Sequence, residues 1–248
     1  MKKSLILVLM CFALMARAQS DSAVVAVDTV RTDSGRVDLN LSLFSRYVWR
    51  GVQFGTGPSV QAQIAYLNGG FTAACYVAKS TYGGSTGYPN TSNIMVGYRY
   101  RSVSLFVDDY FFYDEDNLDR YLDWSDTTLH YTEARIRYDG SRCYALAAYN
   151  VYAAKAANKG LYIEGGYRFP DHAISLFAGY VFDDSDLNFA TSAGMTNIGI
   201  TKEKKLRIND NFSLPLTGTL VVNPNYKHVV DAPGVGRNFL TLVVGGTI

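Results

Sequence analysis

Arg46, Arg50, Arg99, Glu133, Arg135, Arg137, Glu164 and Arg168 fall on the polar phase of segments whose other phase is apolar. Successive side chains of a strand point to opposite faces, so each segment has one charged and one greasy side. Where the greasy side meets lipid, the charged side lines an interior. The chemistry this offers is ion pairing or the passage of solutes, not bond-making. A narrow lumen lined by fixed charge selects by sign. Counted with Asp38 as the remaining acidic residue of that phase, arginines outnumber carboxylates, which predicts a preference for anions.

Other constellations are weaker. Residues 83–87 spell Gly-Gly-Ser-Thr-Gly, a G-x-S-x-G match, but a nucleophile elbow needs a strand before it and a helix after it. Here the match lies in a Gly-rich loop. His130, with Ser125 and Asp126 close in sequence, has the residue types of a hydrolase, but His172 and His228 lie far along the chain and the three do not converge. The acidic stretch 114–119 puts Leu118 and Asp119 where a calcium loop needs an oxygen ligand and a glycine, so it reads as a solvated loop. Gly234-Val235-Gly236-Arg237 lacks the strand–helix context of a phosphate loop. No catalytic residue, metal site or cofactor is expected, and the chain is not read as an enzyme.

The elements that hold these charges follow from export. Lys2 and Lys3, an apolar run over 5–15 and Ala16-Arg17-Ala18 form a secretory signal peptide cleaved after residue 18. Its removal leaves 20 of the 23 basic residues against 22 acidic ones, which gives no reason to expect a nucleic-acid partner. Residues 19–36 are Ser-, Asp- and Thr-rich and read as a flexible periplasmic leader. No later apolar run reaches the length a membrane helix needs. Nineteen Tyr, 13 Phe and 22 Gly point instead to an all-β chain. Cys75 and Cys143 fall on separate strands and are expected to be free thiols, Cys75 packed as a small apolar residue.

From residue 37 the pattern has period two. Leu39, Leu41, Leu43, Tyr47 and Trp49 alternate with Asp38, Asn40, Ser42, Arg46 and Arg50, which predicts a first strand over 37–52. Eleven more runs follow, near 59–67, 70–80, 91–100, 102–113, 127–138, 143–152, 160–169, 173–182, 195–208, 212–222 and 238–248. Their links alternate between short turns (68–69, 101–102, 139–142, 170–172, 209–211) and longer loops (53–58, 81–90, 114–126, 153–159, 183–194, 223–237). That rhythm is the layout of a transmembrane antiparallel up-and-down β-barrel of 12 strands over 37–248, with both termini in the periplasm of a Gram-negative bacterium. The phase is ambiguous over 105–112, where Asp108 and Asp109 are adjacent, and over the Lys-rich 201–207; a bulge or an extended strand accounts for either. Twelve strands ~4.8 Å apart and tilted ~40° make a ring of about 12 Å backbone radius, so side chains leave only a narrow opening.

Ser45-Arg46-Tyr47-Val48-Trp49-Arg50-Gly51, followed by Gly57-Pro58-Ser59-Val60-Gln61 and Gly69-Gly70-Phe71, resembles the TorF-type porin family, outer-membrane proteins of poorly defined function. In that family an aromatic pair and Arg-Gly end the first strand, and Pro-x-x-Gln opens the second. Arg46 stands where the family tends to Asp or Asn, so a lumen charge preference does not transfer. The resemblance implies an outer-membrane barrel and a channel without naming its solute. The expected function is passive passage of small hydrophilic solutes; the alternative is a closed structural or adhesive barrel acting through its extracellular loops. The expected partners are outer-membrane lipid and lipopolysaccharide, the barrel-assembly machinery and those solutes.

Overall fold

The computed structural model describes residues 35–81, 90–113, 120–125, 128–153, 158–210 and 213–248. In chain order its strands are β1 (Arg36–Phe44), β2 (Tyr47–Trp49), β3 (Val52–Phe54), β4 (Ser59–Asn68), β5 (Phe71–Ser80), β6 (Asn90–Tyr100), β7 (Val103–Tyr113), β8 (His130–Asp139), β9 (Cys143–Ala153), β10 (Leu161–Phe169), β11 (Ile174–Val181), β12 (Gly194–Arg207), β13 (Ser213–Val222), β14 (Val235–Gly236) and β15 (Leu240–Thr247). Twelve of them, all but β2, β3 and β14, form one closed antiparallel barrel. Each wall strand pairs with its chain neighbour, and β15 returns to β1 through Ser42–Thr247, Leu43–Gly246 and Phe44–Gly245. The five short links lie at one end and the six longer segments at the other, as the rhythm of the sequence predicts. The expected signal peptide and almost all of the expected leader lie outside the described residues, as do residues 83–87, 114–119 and Asp126.

The two faces separate as the alternation requires. Leu39, Leu41 and Leu43 project outward, Leu39 with 72% of its surface exposed, while Ser42 on the other phase is buried inside. The outward phase of the closing strand, Leu240, Leu242, Val244 and Ile248, is exposed in the same way. Tyr98, Tyr100 and Tyr138 ring the short-turn end on the outside. Closure gives each wall strand a partner on both sides, although at the seam β1 covers β15 only over Gly245–Thr247.

Three local features correct or resolve the sequence reading. First, β1 stops at Phe44, not at residue 52. The chain then turns inward: Ser45 N–H still donates to the Val244 carbonyl, but the Val244 amide is taken by the Ser45 hydroxyl (2.9 Å), so the ladder ends there. Second, β7 carries no bulge. It pairs continuously with β6 and β8, so the adjacent carboxylates split, Asp108 inward and Asp109 outward. Register shifts lie instead at Thr132/Glu133 and Gly179/Tyr180. Third, the Lys-rich stretch is an extended strand. β12 pairs with β11 only as far as Lys202 but with β13 as far as Arg207–Ser213, so a two-stranded ribbon projects past the barrel wall. Cys75 and Cys143, the two cysteines among the described residues, are free; Cys75 is on the outer wall, exposed and not packed, because its position falls on the outward phase of β5.

Candidate functional site

β2 and β3 form a hairpin that lies inside the barrel. Its connection is Arg50-Gly51, with φ of +50° and +82°. Positive φ at both central residues gives a two-residue turn the twist a hairpin needs. Gly51 adopts it freely, and a Cβ there would overlap the Thr196 carbonyl oxygen. For Arg50 the left-handed backbone costs about 1–2 kcal/mol, which something else in the structure must offset.

The offset is the surroundings of its guanidinium. Arg50 Nη1 and Nη2 donate to Glu133 Oε2 and Oε1 at 2.7 and 2.8 Å, a two-pronged pair, and Nη1 also donates to Asn188 Oδ1 at 2.7 Å. The Trp49 ring lies 4.5 Å from its Cζ and the Tyr162 ring 4.3 Å, so the planar cation touches two aromatic faces. Arg50 and Glu133 are each 1% exposed. Planar, two-pronged pairing satisfies both charges away from water, which a buried ion pair requires.

Around this pair the hairpin is packed like a protein core. Tyr47, Trp49, Val52 and Phe54 join Tyr76 and Ala78 of β5, Tyr110 and Phe112 of β7, Tyr131 of β8, and Leu187, Phe189 and Val229 of the long-loop end in one buried cluster. Ring centroids stand 4.9 Å apart for Phe54–Phe189 and 5.5 Å for Trp49–Tyr110. β14 adds a third strand through Val235–Phe54 and Gly236–Gln53, so Gly234-Val235-Gly236-Arg237 is centred on a sheet pairing and not a phosphate loop. The Asn223 side chain donates to the Gly51 carbonyl at 3.2 Å. The long-loop half of the lumen is therefore filled.

The predicted lining residues divide accordingly. Arg46 sits in the two-residue link between β1 and β2, where its guanidinium donates to the Ser45 carbonyl at 2.7 Å. Arg50 is inside the barrel but on the hairpin, not on β1. Glu133, Arg135, Arg137, Glu164 and Arg99 lie on the inward phase of their strands, and Arg168 follows on the inward phase of β10 below Glu164 and Gly166. Most meet partners the sequence did not show. Arg135 Nη2 donates to Asp108 Oδ1 at 3.1 Å; Arg99 and Arg137 both donate to Asp139 Oδ2, at 2.8 and 3.0 Å. Glu164 accepts from the Tyr144 hydroxyl, from Tyr162 at 2.5 Å and from Asn197 at 2.9 Å. Asp108 and Asp139 add two inward carboxylates to the three counted from the pattern, so six arginines face five carboxylates and the basic excess falls to one. Most of these inward charges are thus ion-paired or hydrogen-bonded, within one strand or between neighbouring ones.

A second polar cluster lies on the outer wall. His130 Nδ1 is 3.0 Å from Asp109 Oδ2, and Tyr121 donates to the same oxygen at 3.1 Å. The imidazole is stacked between Phe111 (4.6 Å, 22°) and Trp124 (4.3 Å, 17°). Burial and the nearby Asp109 carboxylate push the Tyr121 phenol up, so it stays protonated and donating. Among the described residues the carboxylate beside His130 is Asp109, and the Ser125 amide donates to Asp123 Oδ1 at 2.9 Å; Asp126 lies outside the described residues. Arg120, hydrogen-bonded to Asp123, holds that carboxyl down at about 2, with Ser125 helping. His172 and His228 lie in separate one-turn helices, Pro170–His172 and Tyr226–His228. Among the described residues no group of three metal-ligating side chains converges.

No protein-family model matches this sequence, and no curated protein matches it. Among solved structures the chain is similar to the KdgM porin, with a TM-score of 0.44 and 10% identity over 84% of this chain and 96% of that one. It is also similar to an engineered variant of the Rh. blastica porin, with a TM-score of 0.39 and 11% identity over 86% of this chain and 100% of that one. The barrel itself rests on the strand pairing described above.

Proposed function

We propose that this chain is an outer-membrane barrel for passive passage of small hydrophilic solutes, and that its own β2–β3 hairpin closes it at rest. Support for the membrane comes from the outward leucines, valines and isoleucines, which alternate with an ion-paired interior, and from closure of the sheet on itself, the form in which strands cross a bilayer. The single observation that carries the gate is Arg50. A backbone strained by about 1–2 kcal/mol places one guanidinium in a two-pronged pair with a wall carboxylate, which is the mark of a specified contact and not of loose filling. By the sequence reading the short-turn end faces the periplasm and the hairpin closes the outer half.

The hairpin joins the wall through a hinge. Residues 45–46 leave β1, residues 55–58 return to β4, and Gly55 has φ of +65°. Attached to the wall by these two links and to the long-loop end through β14, the hairpin can swing out while the twelve wall strands keep their pairing. The competing reading, a permanently closed structural or adhesive barrel, is favoured by the buried aromatic cluster, which is as tight as a core.

Planar-bilayer conductance decides between them. The proposed channel shows rare openings in the wild-type protein and frequent ones when hairpin anchoring is weakened. A barrel that stays silent after the anchor is removed, while still folded by its resistance to heat and detergent, is the structural one.

A further inference from the structure

The polar cluster on the outer wall poses a problem for a membrane barrel. β7 has 11 residues; at ~3.3 Å per residue and a tilt of ~40° they cover about 28 Å along the barrel axis. The apolar band of an outer-membrane barrel is about 25 Å tall. The whole strand is thus needed to cross. Asp109 lies four residues before its long-loop end, which by the same arithmetic is about 10 Å below that end, and His130, paired with Phe111, is about 5 Å below it. Both project outward, where lipid-facing polar groups are costly.

Residues 120–125 solve it by folding down over them. Tyr121 closes on Asp109, and Trp124 covers the imidazole. His130 Nε2 and Asp109 Oδ1 are buried without a hydrogen-bond partner among the described residues, so the covered surface excludes water as well as lipid. On its other side the segment shows Leu122, 86% exposed, and Trp124, 45% exposed. Tyr152 of β9 lies beside Trp124 with ring centroids 5.9 Å apart. This exposed patch continues into the outward apolar residues of the same wall, Val107, Ile136 and Val151.

We infer that residues 120–125 are a lipid-contacting strap: Leu122 and Trp124 enter the acyl-chain boundary of the outer leaflet, and the His130–Asp109–Tyr121 cluster fastens the strap to the wall. The occupant of this surface is acyl chain, because the patch is continuous with the belt that lipid already covers. Half-buried Arg120 and Asp123 are paired at 2.5 Å, so the strap carries no unmatched charge of its own into that boundary. The inference rests on the membrane reading above and not on the gate.

The chain has two tryptophans, and only Trp124 is exposed; Trp49 is enclosed by the barrel. The test reconstitutes the full-length mature protein in vesicles of phosphatidylcholine brominated near the top of the acyl chain and reads tryptophan emission against unbrominated vesicles. The expected result is quenching of the wild-type protein that disappears in Trp124→Phe. A control, Val107→Trp in the Trp124→Phe background, places a tryptophan in the belt and must be quenched if the barrel spans the bilayer. Quenching of the control but not of wild type overturns the strap and leaves the membrane reading intact. Quenching that survives Trp124→Phe also overturns it. An unquenched control overturns the membrane reading and the strap with it.

Discussion

Replacing Glu133 with alanine removes the carboxylate that receives two hydrogen bonds from Arg50, at 2.7 and 2.8 Å, in a site where both side chains are buried. Hydrogen bonds to charged groups are worth about 1.5–3 kcal/mol each, and removing one partner of a buried pair costs about 3–5 kcal/mol because the other charge loses its compensation. At 1.4 kcal/mol per decade, a loss of about 4 kcal/mol shifts the docked-to-undocked ratio of the hairpin nearly a thousandfold. The penalty falls on the hairpin first, since the wall ladder does not depend on Glu133. Single-channel recording of Glu133→Ala is therefore expected to show a large rise in open probability with little change in unit conductance, while heat-modifiable gel mobility still reports a folded barrel. The double variant Arg50→Met with Glu133→Leu replaces the pair with apolar groups of similar reach and should return most of the closure. Two results would refute this reasoning: a Glu133→Ala trace indistinguishable from wild type, or a double variant as open as the sum of the two single losses predicts.

Gly51→Ala puts a Cβ against the Thr196 carbonyl and should open the channel much as Glu133→Ala does, read in the same bilayer assay; closure as tight as wild type would mean the hairpin is not seated as described. In a Cys75→Ser, Cys143→Ser background, Asn158→Cys should react with an impermeant maleimide on intact cells and Ser141→Cys should not; the reverse pattern inverts the orientation. Leu41→Arg on the outward face should cost about 2–4 kcal/mol in a urea titration of the folded barrel, and Asn40→Arg on the inward phase well under half of that; equal losses would undo the assignment of faces. With Asp108 and Asp139 facing inward, the reversal potential of an opened variant in a salt gradient should lie close to zero, and strong selectivity of either sign would show that these pairs do not persist in the open lumen.

Much of the wall was legible because a strand that is greasy on one side only has a single way to face. Leu39, Leu41 and Leu43, the last strand and the alternation of short and long links all point one way. The inward turn at Ser45 was not legible, since Tyr47 and Trp49 continue the period of the leucines and an aromatic ring looks the same in sequence whether it meets lipid or a packed core. Only the Arg50-Gly51 dipeptide held a hint, as a turn pair in the middle of a run taken for strand. The charge partners were hidden for another reason: Asp108 is placed by a cross-strand register that adjacent Asp109 obscures, and Asp139 was counted with a turn although it closes β8. His130 found its carboxylate 21 residues upstream on a neighbouring strand, where proximity in sequence gives no guidance.

Where β1 leaves the wall, β15 runs on: its pairing with β13 reaches Leu240, but its pairing with β1 ends at Gly245, and among the described residues no strand takes the edge in between. The first strand has thus bent away from hydrogen bonds that its own register would have offered next. A hairpin released from the lumen does not surrender its backbone to water, because the stretch of ladder it declined is still open beside the hinge. Burial alone overstates what it costs to unseat this hairpin, in the way that the weight of a sash window overstates the effort of raising it when a counterweight hangs in the frame.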